Sequence, residues 1–316
     1  MNKTGSWFLR VCFAILTFTL VSCTPAQKLE SAKTDSSPRF VIMSAFEPEL
    51  TQLRSKTSIT NKYVINGRTY YVGKLAGKDV VLVLSGVSMV NAALTAQTVL
   101  DHFEVSGIVF SGIAGGVNPN LDIGDVVVPA QWGEYQEQLF ARETSSGWDV
   151  GQSPSDFGNY GMMFPQSVSL TQAGRKPDSE EQLFWLPVSQ SMLKVAGEVA
   201  SQVQLSDCTQ MKLCLDHKPK VAVGGNGVSG PTFVDNASYR EWVWQTFQAE
   251  ALDMESAAVA HVAYVNNIPF IAFRSLSDLA GGGPGENEIS TFFQLAADNS
   301  AKVVIAFLEK FSGFDQ

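Results

Sequence analysis

Short apolar runs alternate with segments of helical spacing along most of the chain, which is the pattern of an α/β protein. The apolar runs predict buried strands, several of which end in glycine or in small polar residues. These strands are predicted at 40–45, 61–65, 69–75, 79–84, 106–116, 124–129, from 221 onward and at 270–273. Helices are predicted at 46–56, up to about 102 after a glycine turn at 85–93, and at 188–203, 236–247 and 256–264. The turn pairs Asn66-Gly67 and Gly77-Lys78 make the runs between 61 and 84 a meander.

Two segments lack this periodicity. Residues 23–39 are rich in Ser, Thr, Lys and Pro, which is typical of a flexible tether. Residues 131–219 mix Gly, Ser, Pro, Gln and Trp, and are interpreted as an insertion lying on the surface. The rest of the chain, 40–316, is long enough for one large domain that carries this insertion.

The N-terminus has the features of an export signal. Lys3 and Arg10 flank a segment without acidic residues, and an apolar run at 11–20 is too short for an ordinary membrane span. Leu20-Val-Ser-Cys23 follows and resembles the lipobox of bacterial lipoproteins. That resemblance implies a lipoprotein signal peptide at 1–22, lipid on Cys23 and a bacterial cell-envelope location, with Thr24 favouring the periplasmic face of the outer membrane. A plain secretory signal, or an anchor helix with an incidental cysteine, is the alternative.

Charge, cysteine content and histidine content indicate which ligands and which covalent bonds to expect. The formal net charge is −9 with no basic stripe, which argues against nucleic acid as a partner. Cys208 and Cys214 are expected to form a local disulfide, since an exported chain meets an oxidising compartment. The three histidines, His102, His217 and His261, are scattered singly, so no metal site and no cofactor are expected.

Charged residues stand at the ends of several predicted elements. Glu255 lies at a helix start, and Arg274, Ser277 and Asp278 follow the strand at 270–273. In open parallel sheets ligands bind beyond the carboxyl ends of the strands, which makes these residues candidates for a site. Glu49 lies in the first turn of the helix after the first strand. The alternative is that each carboxylate only stabilises a helix end or a turn.

Seven segments, taken in order, resemble the nucleoside phosphorylase superfamily, and within it the nucleosidases that hydrolyse methylthioadenosine and S-adenosylhomocysteine. They are AFEPE at 45–49, SGVSMVNAA at 85–93, SGIAGG at 111–116, GDVVVP at 124–129, SGPTFV at 229–234, DMESAA at 253–258 and RSLSD at 274–278. The insertion and the run at 227–236 also resemble a plant branch that includes bark storage proteins. The resemblance implies a single three-layer domain with a twisted mixed central sheet flanked by helices.

The resemblance also implies a role for individual residues. Asp278 would be the general acid at purine N7, Glu49 the base that activates water, and Arg274 would orient Glu49. Glu255 would accept hydrogen bonds from the ribose hydroxyls, Met254 would pack on the sugar and Phe233 would stack on the base. The other expected substrate-binding positions are Val234, Ser277, Ala114 and Gly115, with Phe46, Val87 and Ile289 in the pocket for the 5′ substituent.

The resemblance to this superfamily also indicates whether water or phosphate is the nucleophile. The phosphorylases place Arg in the first glycine turn and before the central glycine loop, where this chain has Phe46-Glu-Pro-Glu49 and Val109-Phe-Ser111. One departure from the nucleosidases is Ile113, which stands where they place Ser. The expected function is a purine nucleosidase acting on a small-molecule nucleoside. A catalytically weak nucleoside-binding or storage lipoprotein and a purine nucleoside phosphorylase remain as alternatives, and a homodimer is expected by analogy with the family.

Overall fold

The structure, a computed structural model, describes residues 33–314. The predicted signal peptide at 1–22, the lipidation site Cys23 and most of the predicted tether lie outside the described residues. None of the described helices is long and apolar enough to cross a membrane.

The described part contains strands and helices in the following order and with the following bounds. The strands are β1 (Asp35–Ser44), β2 (Ser58–Ile65), β3 (Arg68–Leu75), β4 (Lys78–Leu84), β5 (Phe103–Gly116), β6 (Val126–Val128), β7 (Gln131–Gly133), β8 (Gln138–Phe140), β9 (Arg142–Thr144), β10 (Gly147–Asp149), β11 (Met163–Pro165), β12 (Val168–Leu170), β13 (Glu181–Leu183), β14 (Trp185–Pro187), β15 (Val221–Val223), β16 (Asn226–Ser229), β17 (Ala249–Asp253) and β18 (Phe270–Asp278). The helices are α1 (Glu47–Lys56), α2 (Met89–His102), α3 (Gln190–Ala200), α4 (Ala237–Phe247), α5 (Ser256–Val265) and α6 (Ile289–Lys310).

A mixed sheet of twelve strands is built around β5. Strands β1 and β18 pair with β5 in parallel on its two sides, and β4 continues in parallel beside β1 before the antiparallel meander of β3 and β2. At its carboxyl end β5 also pairs with β17, antiparallel, which leads on to β16, β7 and β14. The carboxyl ends of β1, β5 and β18 therefore meet at one edge of the sheet.

Helices cover both faces of the sheet, as alternation along the strands requires. On β1, Val41 and Met43 pack in one core with α2 and α5, whereas Phe40 and Ile42 pack in a second core with α1, α3 and α6. The predicted three-layer domain is confirmed.

Several boundaries differ from the sequence-based expectations. β1 begins at Asp35, so the tether is shorter than 23–39; the ion pair of Arg39 with Asp35 extends a strand that apolar residues alone do not mark. The segment 131–219 is not only a surface layer, because β7 and β14 belong to the central sheet and Trp132 is fully buried. Its helix is α3, shorter at both ends than 188–203. The bond between Cys208 and Cys214 closes a short loop in this segment.

Three elements near the site extend or add to the predictions. β18 continues to Asp278 with all nine residues buried, although polar residues make up its last half. β17 and α6 were not predicted. β17 contains two acidic residues, Glu250 and Asp253, among three apolar ones, so its sequence lacks the apolar run that marks a buried strand. It forms a strand because it pairs with β5 and β16.

Candidate active site

A cavity of about 280 Å³ opens at the carboxyl ends of β1, β5 and β18. Of the thirteen predicted catalytic and substrate-binding residues, twelve line this cavity. The thirteenth, Arg274, lies behind its wall. The lining residues are Ala45, Phe46, Glu49, Val87, Ile113, Ala114, Gly115, Thr232, Phe233, Val234, Leu252, Asp253, Met254, Glu255, Ser277, Asp278 and Ile289. Segments far apart in sequence thus converge on one concave surface.

Glu49 is held by backbone N–H groups from two elements. Its Oε2 accepts from Ala45 at 2.6 Å and from Phe46 at 3.3 Å, as a carboxylate in the first turn of a helix does. Its Oε1 accepts from the N–H of Ile113 on β5 at 2.8 Å. Burial raises the pKa of Glu49 above its ordinary value, and Arg274 and these backbone hydrogen bonds oppose the shift. The expected helix-end role is therefore present, but Glu49 also faces the cavity.

Arg274 is fully buried beside three carboxylates. Its Nε lies 2.7 Å from Asp253 Oδ2 and donates to the Ser256 hydroxyl at 2.9 Å. Its Nη1 is 3.7 Å from Glu49 and its Nη2 is 3.5 Å from Glu255. The guanidinium also stacks over the ring of Phe110, with its carbon 4.1 Å from the ring centre. Burial alone would lower the pKa of Arg274, but the three carboxylates raise it above its ordinary value.

Gly112 makes the approach of Arg274 to Glu49 possible. A Cβ on Gly112 would overlap both Nη1 of Arg274 and Oε1 of Glu49. The glycine in β5 therefore serves a close side-chain approach and not a turn.

Glu255 points away from the helix that it precedes. Its side chain makes no capping hydrogen bond to α5; its Oε1 accepts from the N–H of Ser88 at 2.7 Å, and its Oε2 faces Arg274. The interpretation of Glu255 as a simple helix cap is wrong, because Asp253 accepts from the N–H groups of Glu255 and Ser256 instead. Burial raises the pKa of Glu255 to about 7; Arg274 lowers it, and the charges of Asp253 and Glu49 raise it.

Asp278, the last residue of β18, lines the cavity and is almost fully buried. Its Oδ1 accepts from the N–H of Ala280 at 2.8 Å and from the Asn287 amide at 3.4 Å. Ser277 donates its hydroxyl to Oδ2 at 2.8 Å. Burial raises the pKa of Asp278, against the effect of these hydrogen bonds. A raised pKa favours the protonated carboxyl, which is the form that can act as a general acid.

The remaining walls are apolar. Ile113 packs with Phe46, Ile289 and Phe293 at the base of α6, beside Glu49. Phe233 and Val87 lie at the cavity mouth, 53% and 46% exposed. The cavity therefore combines buried carboxylates with apolar walls, which fits a small ligand that has a flat apolar ring and a few polar groups.

Comparison with known proteins agrees with this arrangement. The phosphorylase superfamily matches residues 39–309. The chain belongs to this superfamily. A 5′-methylthioadenosine/S-adenosylhomocysteine nucleosidase of Tolumonas auensis is 28% identical over 270 residues, 85% of this chain and 98% of that protein. Bark storage protein A of Populus deltoides is 28% identical over 244 residues, 75% of this chain and 77% of that protein.

Among solved structures, the 5′-methylthioadenosine/S-adenosylhomocysteine nucleosidase of Neisseria meningitidis, in complex with methylthio-immucillin-A, has a TM-score of 0.62. The two sequences are 22% identical, over 87% of this chain and 99% of that one. This likeness shows the shared fold, and the resemblance inferred from the seven segments is confirmed.

Two polar residues that contact the charged groups of the site in this phosphorylase superfamily member, Asp253 and Asn287, were not predicted as part of it. The sequence assigns no role to Asp253 beyond its place in the segment DMESAA, yet it contacts Arg274 and the start of α5. Asn287 lies in the glycine-rich loop before α6, and its amide reaches both Asp278 and Asp235. A signal for Asp253 was present, since a second acid two residues before Glu255 in a buried segment needs a partner. The loop of Asn287 carries no such signal.

Proposed function

We propose that the protein is a purine nucleosidase that hydrolyses the N-glycosidic bond of a nucleoside such as methylthioadenosine or S-adenosylhomocysteine. The observation that carries this proposal is the charge of the cavity. Its described lining includes four carboxylates, Glu49, Asp253, Glu255 and Asp278, and no basic side chain. Such a surface repels an anionic nucleophile and accommodates water.

Asp278 acts at the purine. Its protonated carboxyl donates to N7, so that the base leaves as a neutral molecule while the bond between C1′ and the base nitrogen breaks. The ribose then carries oxocarbenium character. Burial raises the pKa of Asp278 and so favours the protonated form that this step requires.

Glu49 acts at the water. It accepts a proton as the water oxygen bonds to C1′, and the products are the free base and the ribosyl hydroxyl compound. Because burial raises the pKa of Glu49, its carboxylate is a stronger base than an exposed one. Three backbone N–H groups and Arg274 keep the carboxylate in one orientation.

Glu255 holds the sugar. A single carboxylate can accept from two neighbouring hydroxyls, and Arg274 and the N–H of Ser88 fix its orientation from behind. Met254 packs against the sugar and Phe233 against the base.

A second candidate is a nucleoside-binding or storage protein with weak catalysis. Two observations favour it: the similarity to bark storage protein A, and the apolar side chain of Ile113 next to Glu49. A phosphorylase is disfavoured, because Arg274 behind the cavity is already shared by three carboxylates.

The deciding experiment uses the chain from Lys33 to Gln316, which contains all of β1. It is incubated with methylthioadenosine, S-adenosylhomocysteine, adenosine, inosine and guanosine, each with and without phosphate, and free base is measured. A nucleosidase releases base at a rate independent of phosphate and forms no ribose 1-phosphate. Binding without base release supports the storage function, and phosphate-dependent release supports the phosphorylase.

We also propose that Cys23 is lipidated and that the protein lies at the periplasmic face of the outer membrane, with Leu20-Val-Ser-Cys23 as the supporting feature. The described domain begins at the amino end of β1, and the cavity lies at its carboxyl end, about 30 Å away for a ten-residue strand. Intact-mass analysis of the full-length protein tests the proposed lipidation, and an unacylated Cys23 contradicts it.

A homodimer is the third proposal. Val87, Val90 and Leu94 form an exposed apolar row from the cavity mouth along α2, with exposures of 46%, 80% and 57%. Light scattering at micromolar concentration should give twice the chain mass, and Leu94→Lys should reduce it. A monomer in the unsubstituted protein counts against the dimer.

A further inference from the structure

The buried carboxylate of Asp253 lines the cavity but has no role in the proposed reaction steps. Arg274 is a single cation that contacts three carboxylates, of Glu49, Asp253 and Glu255, and the side chains of all four residues are at most 6% exposed. Glu49 and Glu255 already have chemical roles. Asp253 makes the shortest contact with Arg274 of the three, at 2.7 Å.

Asp253 is held at the junction of four elements. Its Oδ1 accepts from the Ser229 hydroxyl at the end of β16 and from the N–H groups of Glu255 and Ser256, both at 3.1 Å, at the start of α5. Its Oδ2 lies beside Nε of Arg274 on β18. Three donors on one oxygen leave the carboxylate one orientation.

The orientation of Asp253 determines the orientation of Arg274. A guanidinium is planar, so once Nε is held by Asp253 and Ser256, the directions of Nη1 and Nη2 follow. Nη1 then faces Glu49 and the carbonyl of Ile113, and Nη2 faces Glu255.

We propose that Asp253 is a positioning residue of this site: it turns Arg274 so that the guanidinium spans Glu49 and Glu255, and it places a fixed negative charge beside Glu255. This proposal rests on the proposed nucleosidase function, since it assigns Asp253 a task in that reaction.

The charged and titratable groups around Glu255 give the proposal a pH signature. Arg274 faces it from β18, Asp253 from β17 and Glu49 from α1, while the N–H of Ser88 contacts it from the start of α2. Asp253 itself also faces the buried hydroxyl of Tyr135. If ionised Glu255 is needed to bind the ribose hydroxyls, kcat/KM falls as the pH drops through its pKa. Removing the charge of Asp253 lowers that pKa, because like charges disfavour ionisation.

The test compares Asp253→Asn with Ser229→Ala in the protein that starts at Lys33, using methylthioadenosine from pH 5 to 9. Asp253→Asn keeps the shape and removes the charge, whereas Ser229→Ala removes a donor to the same oxygen and keeps the charge. We expect the acid limb of kcat/KM to move to lower pH by about one unit in Asp253→Asn, with a loss of about tenfold or more on the plateau because Arg274 is no longer fixed. In Ser229→Ala the limb should stay in place.

Other results overturn the proposal in distinguishable ways. An unmoved acid limb in Asp253→Asn, with only a lower melting temperature, shows a merely structural role. If Asp253→Asn does not fold, Asp253→Ser keeps an acceptor for the α5 N–H groups without the charge and gives the same comparison. If the unsubstituted protein releases no base, the proposed function fails; binding of a non-hydrolysable C-nucleoside across the same pH range then still tests whether Asp253 sets the charge of Glu255.

Discussion

The backbone N–H of Ile113 donates to Oε1 of Glu49 at 2.8 Å, and the side chain of Ile113 lines the cavity beside that carboxylate. The contact that holds the proposed base therefore comes from the backbone of β5 and does not depend on which side chain stands at position 113. This is why an isoleucine in place of serine leaves the geometry of Glu49 intact. The apolar side chain does reduce the number of hydrogen-bond partners that a water next to Glu49 can find.

The first prediction concerns the proposed acid. Asp278→Asn keeps the size of the side chain but cannot deliver a proton to N7, so base release should fall by about a hundredfold or more, the usual scale for general acid catalysis. Nucleoside affinity, measured by calorimetry, should change little, because the amide can still hydrogen-bond with the purine. Equal losses of affinity and rate would instead mark Asp278 as a binding residue only.

The second prediction concerns the proposed base. Glu49→Gln should slow hydrolysis by a similar factor, because the amide cannot accept the proton of the attacking water. In the double variant with Asp278→Asn, the combined loss should differ from the product of the single losses, since both groups serve one transition state. Single-turnover base release from each variant gives the comparison, and full activity in Glu49→Gln would remove Glu49 from the mechanism.

The third prediction tests the close approach at Gly112. An alanine there would force Arg274 and Glu49 apart, so Gly112→Ala should destabilise the protein by about 1–3 kcal/mol and abolish most activity. Gly197→Ala is the matched control, because its Cβ meets no atom within 4 Å on an exposed face of α3. Helix propensity predicts a gain of about 1 kcal/mol for the control. Urea unfolding of both variants measures these changes, and an unaffected Gly112→Ala would show that the pair of side chains can relax.

The fourth prediction is a dependence of stability on pH. Burial raises the pKa of Glu255 from 4.5 to about 7 in the folded protein. Because the folded state binds this proton more tightly than the unfolded state, the contribution to stability is present below about pH 4.5 and is lost as the pH rises through about 7. The free energy of unfolding of the ligand-free protein should fall over this range by about 3 kcal/mol on account of Glu255.

Glu255→Gln provides the control for this pH dependence. Its side chain does not titrate, so unfolding free energies measured at pH 5 and pH 7.5 should differ less in this variant than in the unsubstituted protein. Glu49 and Asp278 have raised pKa values as well and leave a residual slope of the same sign. An equal slope in both proteins would show that Glu255 is ionised throughout.

The sequence by itself determined the class of fold and the positions of most site residues. Alternation along 40–43 assigns successive side chains to opposite faces, and the structure packs Val41 and Ile42 in different cores. Glu49, Glu255 and Asp278 could be identified because they stand at the ends of buried elements, where an unpaired charge is costly to bury. Local pattern carries this information, since period and capping act within a few residues.

Only the tertiary structure decided how these residues are combined. That Arg274 is shared by Glu49, Asp253 and Glu255 depends on how α1 packs near β17 and β18, which come much later in the chain. β7 joins the central sheet by pairing with β16, which lies outside the segment 131–219, and β14 joins the sheet through β7. Contacts between elements also decide which acid caps α5. Asp253 accepts from the N–H groups at the start of the helix, whereas Glu255 is held toward the cavity by Arg274 and by the N–H of Ser88. Contacts between distant segments are set by the geometry of the whole sheet, and no local pattern encodes them.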